Sequence, residues 1–215
     1  MLKHGIFLLF LILPNVLFAY DCSKFKFDVD VNVNLENKED INIKKSDEDL
    51  IGILGYTSPQ ISYNTPYQSV PIRVHGGYCV SLRSFDVNII QNFNITIDRN
   101  LKEDSCAYNL VLKHEQDHVN VHKDILKSNI DNIKKTVYDT VNKIEPVFIQ
   151  DLSEIDNIDF YKKIQETNSI KKLKEDIKNN LEQENNKIDE RGDNFYIWQC
   201  EDFYKEMKNK NIVID

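Results

Sequence analysis

Proline and glycine are scarce in this chain, which has five prolines and six glycines among its 215 residues. None of them falls between residues 101 and 145. Because these two residues most often interrupt helices, the long gap permits one continuous helix. The sequence also lacks a glycine-rich phosphate loop, an internal repeat and a basic patch, and its formal net charge is -8. These absences exclude phosphate-loop enzymes and argue against nucleic acid as a partner.

Long apolar runs are absent after residue 19. A short basic start at Lys3 precedes the almost wholly apolar segment 5–18, and Ala19 is a small residue before Tyr20. This layout predicts a signal peptide over residues 1–19, because the apolar run is too short to span a bilayer comfortably. An uncleaved anchor is the alternative. We expect a periplasmic or secreted protein with no membrane association after signal removal.

Cysteine occurs four times, always after the predicted signal peptide: Cys22, Cys79, Cys106 and Cys200. An even number of cysteines in an exported chain predicts two disulfides. Of the three possible pairings, we favour Cys79–Cys106 together with Cys22–Cys200, which would tie the two ends of the mature chain together. A four-cysteine zinc site is the alternative, and it is disfavoured because no two cysteines lie close together in the sequence.

Apolar and polar residues alternate along much of the first half of the chain. The alternation is longest over residues 25–35 and recurs in shorter segments. Period-two patterns of this kind predict strands that are buried on one face. We therefore expect a strand over 25–35, a short strand over 70–75, a turn at Gly76-Gly77, and two further strands over 78–90 and 93–97.

After Asn100 the apolar residues recur at intervals of three and four, which is typical of a helix. The pattern predicts one long helix, or two nearly collinear ones, that ends at Pro146. A second helical region is predicted over about 150–191, and a short helix or packed tail over 195–207. The charged residues of the second region are interpreted as the solvated face of a helix.

The long predicted helix carries the motif His114-Glu115-Gln116-Asp117-His118. Residues four apart lie one turn apart on one helix face, so both imidazoles can be directed at one ion. Zinc accepts neutral nitrogen ligands in tetrahedral geometry. Glu115 lies about 100° round the helix from His114 and therefore beside the metal. There its carboxylate can take a proton from a zinc-bound water. Two histidines on a solvated helix face are the alternative interpretation.

A set of strands followed by a helix with His-Glu-x-x-His resembles the zincin metallopeptidases. More narrowly, the segment Leu112 to His118 resembles bacterial exported proteins grouped as predicted zinc-dependent proteases. The resemblance covers about residues 70–130 and includes a cysteine shortly before the motif, here Cys106. It implies that His114 and His118 bind zinc, that Glu115 is the general base, and that the substrate is a peptide or protein. It also implies that the strand near Phe93–Asp98 flanks the cleft, where its edge could hold a peptide by strand addition.

A tetrahedral zinc site of this kind needs a third protein ligand. His122 continues the four-residue spacing, but on an unbroken helix it lies about 12 Å from His114 along the axis. His75, beside the predicted Gly-Gly turn, is a second candidate. Glu175 is a third candidate, because a chain that reverses near Pro146 and returns antiparallel brings residues 174–180 level with the motif. The sequence leaves this choice open.

Strands followed by helices predict an α+β fold, in which a small N-terminal antiparallel or mixed sheet precedes a long active-site helix and an antiparallel helical C-terminal half. The expected organisation is a signal peptide (1–19), a zincin-like sheet with the metal-binding helix (20–145), and a helical C-terminal extension packed on the same domain (146–215). The predicted function is an exported zinc-dependent hydrolase, a peptidase. The alternative is a non-catalytic exported interaction protein with a zincin-like or helical-hairpin fold, which would bind a protein partner through its helical half.

Overall fold

A computed structural model describes residues 20–50, 53–195 and 200. The predicted signal peptide and most of the predicted tail over 195–207 lie outside the described residues. Five strands form one sheet: β1 (Asp30–Lys45), β2 (Gly55–Asn64), β3 (Tyr67–Val74), β4 (Gly77–Ile97) and β5 (Val147–Ile149). The helices are α1 (Cys106–Val141), α2 (Phe160–Gln165) and α3 (Asn168–Phe195), with short 3₁₀ helices at Ser23–Phe25 and Leu152–Asn157.

Strand β4 is the centre of the sheet, and the other four strands all pair with it. Its alternate residues from Phe85 to Ile97 are buried, so the period-two pattern continues without a break. The two strands predicted over 78–90 and 93–97 are therefore one strand. β1 runs parallel to β4 and lies on the same edge as β5, while β3 and β2 follow one another, both antiparallel, along the opposite edge.

The predicted fold class, a small N-terminal sheet followed by a helical half, is wrong. The sheet lies at the centre of the molecule, and the chain returns to it after α1, because β5 pairs with Tyr78–Val80 of β4. The first and fourth strands also pair in parallel over a long stretch, from Asp30 with Ser84 to Lys45 with Ile97. The order is therefore α/β-like, with a helix placed between strands of one sheet. A three-residue strand carries too little pattern to be predicted from sequence.

The open strand edge expected near Phe93–Asp98 is also wrong. Phe93 pairs with Ile41 of β1 on one side and with Pro59 of β2 on the other. Both hydrogen-bonding edges of this part of β4 are occupied, so it cannot accept a peptide by strand addition. On this side of β4, the strand at the edge of the sheet is β2.

The long helix predicted after Asn100 is confirmed as α1, which has 36 residues. The hydroxyl of Ser105 caps its N-terminus by accepting a hydrogen bond from the backbone N–H of Tyr108. The helix ends at Val141, before Pro146. The second helical region is divided into a 3₁₀ helix, α2 and α3, and α3 packs along α1.

Two groups of buried apolar side chains hold the helices against the sheet. The larger group joins the first half of β4 to the C-terminal half of α1, to α2 and to the start of α3. The smaller group surrounds the N-terminal half of α1 and includes Val111 and Val119. Glu115 lies between these two valines on the same buried face of α1, because the three residues are spaced by four. The motif histidines occupy the neighbouring face.

Two disulfides are present, as predicted, and they fit an exported protein. The favoured pairing is wrong, since the bonds are Cys22–Cys79 and Cys106–Cys200. The segment before β1 lies along the start of β4, where the carbonyl of Phe25 accepts a 2.6 Å hydrogen bond from the Ser81 hydroxyl. α3 packs back along α1, and Cys200, which follows it in the chain, is bonded to Cys106 at the start of α1. In the part of the chain that the structure describes, no helix is long and apolar enough to cross a membrane.

Candidate metal centre

Three side chains converge between α1 and α3 and could hold a metal ion: His114, His118 and Asp189. The Nε2 atoms of the two histidines are 3.1 Å apart. Asp189 Oδ1 is 3.3 Å from Nε2 of His114 and 3.0 Å from Nε2 of His118. The histidine side chains are only 20% and 14% exposed, whereas that of Asp189 is 59% exposed. The group therefore has a covered side and an open side.

The spacing of the three ligand atoms fits a transition-metal ion. A tetrahedral ion with bonds of about 2.0–2.1 Å places neighbouring ligand atoms about 3.3 Å apart. The three observed separations, 3.1, 3.3 and 3.0 Å, are close to this value. Two imidazoles with one carboxylate suit zinc and related transition metals, whereas calcium and magnesium prefer all-oxygen sites. Three protein ligands leave a fourth position for water or substrate.

Asp189 was not identified from the sequence. The predicted register assumed that the chain reverses near Pro146, but β5, the second 3₁₀ helix and α2 come first, and α3 begins only at Asn168. His118 lies 23 residues before the end of α1 at Val141, and Asp189 lies 21 residues after the start of α3. Because α1 and α3 pack antiparallel and have the same rise per residue, His118 and Asp189 lie at about the same height along the helix pair. The helix spacing could have found Asp189 only if the start of α3 had been known.

The three candidates for the third ligand all lie outside the group formed by His114, His118 and Asp189. His75 is exposed at the end of β3, and Glu175 is exposed on α3. His122 lies one turn beyond His118, where its ring packs edge-on against Phe93 at a centroid distance of 6.0 Å. The two predicted ligands His114 and His118 do come together, with a ring centroid distance of 4.7 Å.

Asn185 joins His118 to His122. Its Oδ1 is 2.7 Å from Nδ1 of His118, and its Nδ2 is 3.5 Å from Nε2 of His122. Asn185 precedes Asp189 by four residues on α3, so both side chains face α1. The pKa of His122 is lowered by burial and, to a smaller extent, by the nearby His118. A histidine with a lowered pKa stays neutral near pH 7 and can accept a hydrogen bond at one ring nitrogen.

Glu115 is buried, with only 5% of the residue exposed, and its carboxylate is held by β2. The Thr57 hydroxyl lies 2.9 Å from Glu115 Oε2 and 2.9 Å from the backbone oxygen of Glu115. Burial raises the pKa of the Glu115 carboxyl. The hydrogen bond from Thr57 and the charge that His114 and His118 can carry oppose that rise, and Asp189 adds to it. A carboxyl group in this environment can exchange a proton closer to neutral pH than an exposed glutamate.

Gly55 allows β2 to approach α1 closely above Glu115. A Cβ atom at Gly55 would lie 2.6 Å from Cγ1 of Val111 and 3.3 Å from Oε1 of Glu115. The first distance is shorter than any ordinary carbon–carbon contact. The lack of a side chain at Gly55 therefore allows β2 to cover the Glu115 carboxylate.

Comparisons with protein families, with curated proteins and with solved structures find no match for the chain. The resemblance to zincin metallopeptidases consequently rests on the motif and on the order of strand and helix. Among the described residues, His114 and His118 lie together with Asp189 in a group that could hold a metal ion.

Proposed function

We propose that the protein is an exported zinc-dependent hydrolase that cleaves peptide bonds. The observation that carries the proposal is the convergence of His114, His118 and Asp189 beside the buried carboxyl of Glu115. Five consecutive residues of α1 thus supply two ligands and an acid–base group, and α3 supplies the third ligand. The two disulfides agree with export to an oxidising compartment, the periplasm or the extracellular space.

Zinc in this site would supply a Lewis acid and would lower the pKa of a coordinated water towards neutrality. The chain's own part is to hold three ligand atoms about 3 Å apart and to leave one side open, which the exposure of Asp189 provides. Glu115 would accept a proton from the attacking water and pass it to the leaving amine. Its burial and its contact with Thr57 keep the carboxyl in one position for both transfers.

A peptide is favoured as substrate by the position of β2. This strand pairs with β4 on one edge, and no strand covers its other edge among the described residues. Extended peptides bind such edges through backbone hydrogen bonds. Because Thr57 of β2 contacts Glu115, a peptide on this edge would lie next to the proposed acid–base group.

Metal binding by the purified chain from Tyr20 onwards tests the site directly. We expect one zinc per chain by inductively coupled plasma mass spectrometry, and loss of that zinc in the variants His114→Ala, His118→Ala and Asp189→Ala. The matched controls are His75→Ala and Glu190→Ala, because both residues are exposed and lie outside the group. Retention of stoichiometric zinc by all three ligand variants would overturn the proposed site.

Catalysis is tested with Glu115→Gln, which keeps the shape of the side chain and removes its basicity. We expect this variant to bind zinc as the wild type does and to cleave a peptide library about 10²–10⁴-fold more slowly, as measured by mass spectrometry of the products. Cleavage at the wild-type rate would contradict the catalytic role of Glu115. Zinc binding without any cleavage by the wild type would instead favour the non-catalytic interaction protein.

A further inference from the structure

The contact between His118 and Asn185 determines which nitrogen of His118 carries the proton. The amide oxygen of Asn185 can only accept a hydrogen bond, so at 2.7 Å the Nδ1 of His118 must donate. Neutral His118 then has a lone pair on Nε2. That lone pair points towards Asp189 Oδ1 at 3.0 Å and His114 Nε2 at 3.1 Å, which is the form that a metal ligand requires.

His122 determines the orientation of the Asn185 amide. The amide nitrogen of Asn185 can only donate, so its 3.5 Å contact with Nε2 of His122 needs a neutral, accepting ring nitrogen there. Burial of the His122 ring and, to a smaller extent, the nearby His118 lower the pKa of His122 and so favour its neutral form. With the nitrogen of the amide directed at His122, its oxygen faces His118.

We propose that Asn185 is a positioning residue of the metal centre, which acts by fixing the Nδ1–H tautomer and the ring orientation of His118, and that His122 in turn orients Asn185. This role of Asn185 and His122 rests on the proposed metal site. Groups that hold the outer nitrogen of a metal-bound histidine typically change metal affinity by about 10–100-fold when they are removed. A residue that only packed between the helices would change folding stability without this effect.

The test compares Asn185→Leu with Asn186→Leu. Both substitutions remove an asparagine side chain from the same turn of α3, but Asn186 is exposed. A third variant, Asn185→Asp, retains an oxygen acceptor for His118 and loses the donor to His122. Each purified chain is titrated with zinc in competition with a chromophoric chelator, and the cobalt(II)-loaded form is examined by visible absorption.

We expect about 10–100-fold weaker zinc binding and an altered cobalt spectrum for Asn185→Leu, and wild-type behaviour for Asn186→Leu. Asn185→Asp is expected to retain zinc affinity within a few-fold of the wild type or to exceed it, because a carboxylate accepts from Nδ1 at least as well as an amide does. ¹⁵N NMR of the histidine rings in the metal-free wild type should show the proton of His118 on Nδ1.

The inference is overturned if Asn185→Leu binds zinc as tightly as Asn186→Leu does, or if the proton of His118 lies on Nε2. Unfolding of each metal-free variant in urea detects a change that is only structural, because it would lower stability without altering the cobalt spectrum. If the wild type binds no zinc, the proposed function fails at the first titration. If the wild type binds zinc and Asn185→Leu binds it equally well, the metal site stands and only the role of Asn185 is overturned.

Discussion

His122 is enclosed between α1, α3 and the sheet, and its protonation is opposed by its surroundings. Its Nδ1 is buried without a hydrogen-bond partner among the described residues, and its Nε2 faces the amide nitrogen of Asn185, which is a donor. A second ring proton would point at this donor in a place that water reaches poorly. Burial is the main cause that lowers the pKa of His122 below the ordinary value of 6.5, and the nearby His118 lowers it further.

The lowered pKa of His122 predicts that acid destabilises the metal-free protein. Below about pH 6.5 the unfolded chain binds a proton at His122 that the folded chain does not bind, so the free energy of unfolding falls as the pH falls through this window. We expect His122→Gln to lose less stability than the wild type does between pH 7.5 and pH 5.5. Urea unfolding in the presence of a chelator measures the difference.

His75→Gln is the matched control for this measurement, because it also removes one histidine, from an exposed position at a turn. Equal losses in the wild type and His122→Gln would show that His122 has the same pKa in both states.

Two of the three side chains in the candidate metal group, His114 and His118, were predictable from residues close together in sequence. His114 and His118 were identified because a helix places residues four apart on one face. Asp189 and Asn185 were missed because their contact with α1 depends on where α3 begins, and that depends on a short strand and two short helices after Pro146. Local patterns predict which residues share a helix face, but they carry no information on the register between two helices.

At the level of elements, the approach of β2 to α1 depends on Gly55. We predict that Gly55→Ala destabilises the protein by about 1–3 kcal/mol, because the added methyl would overlap the side chain of Val111 in a closely packed region. To relieve this overlap, β2 would have to move away from α1, and this movement would displace Glu115. Peptide cleavage should therefore fall more than zinc affinity. Urea unfolding, zinc titration and the peptide assay together measure the three effects.

Gly76→Ala is a useful comparison, because that glycine lies in the turn next to the sheet and has nothing within 4 Å of an added Cβ. Its φ of 82° makes alanine unfavourable there, at a cost of about 1 kcal/mol. The change lies in the turn between β3 and β4, so zinc affinity and cleavage should be unaffected. A loss of cleavage as large as that of Gly55→Ala would contradict a local role for Gly55.

The elements were predictable in part, and their arrangement was not. Period-two alternation predicted most of β4 and parts of β1 and β3 but missed β2, and the absence of glycine and proline predicted α1. The break expected between Ile90 and Phe93 was wrong because Gln91 continues the buried face of β4. A polar residue on a buried face interrupts the pattern that marks a strand in the sequence, even where the strand continues.

For the whole molecule, two connections join the start of α1 to the end of α3: the Cys106–Cys200 disulfide and the proposed metal at Asp189. We predict that replacing Cys106 and Cys200 together by serine weakens zinc binding, because α3 would then be held against α1 only by packing. The loss should be smaller than that of Asp189→Ala. Chain-entropy arguments also predict a lower unfolding free energy, by about 2–5 kcal/mol.

Replacement of Cys22 and Cys79 by serine is the matched control. The Cys22–Cys79 disulfide joins two cysteines that are 57 residues apart in sequence. It connects the segment before β1 to the start of β4, away from α3. It should lower stability by a comparable amount, about 2–5 kcal/mol, and leave zinc affinity unchanged. Equal losses of zinc affinity in both double variants would indicate a general loss of folding rather than a specific role of the α1–α3 connection.

The order of the disulfides along the chain has a consequence for how the protein matures. The first cysteine bonds to the second and the third to the fourth, so neither bond spans a cysteine of the other pair. A chain that is translocated N-terminus first presents Cys22 and Cys79 to an oxidant before Cys106 emerges. Each pair can thus close by consecutive oxidation, without the thiol–disulfide reshuffling that interleaved pairs demand. Oxidative maturation should therefore depend on a thiol oxidase and proceed without a disulfide isomerase.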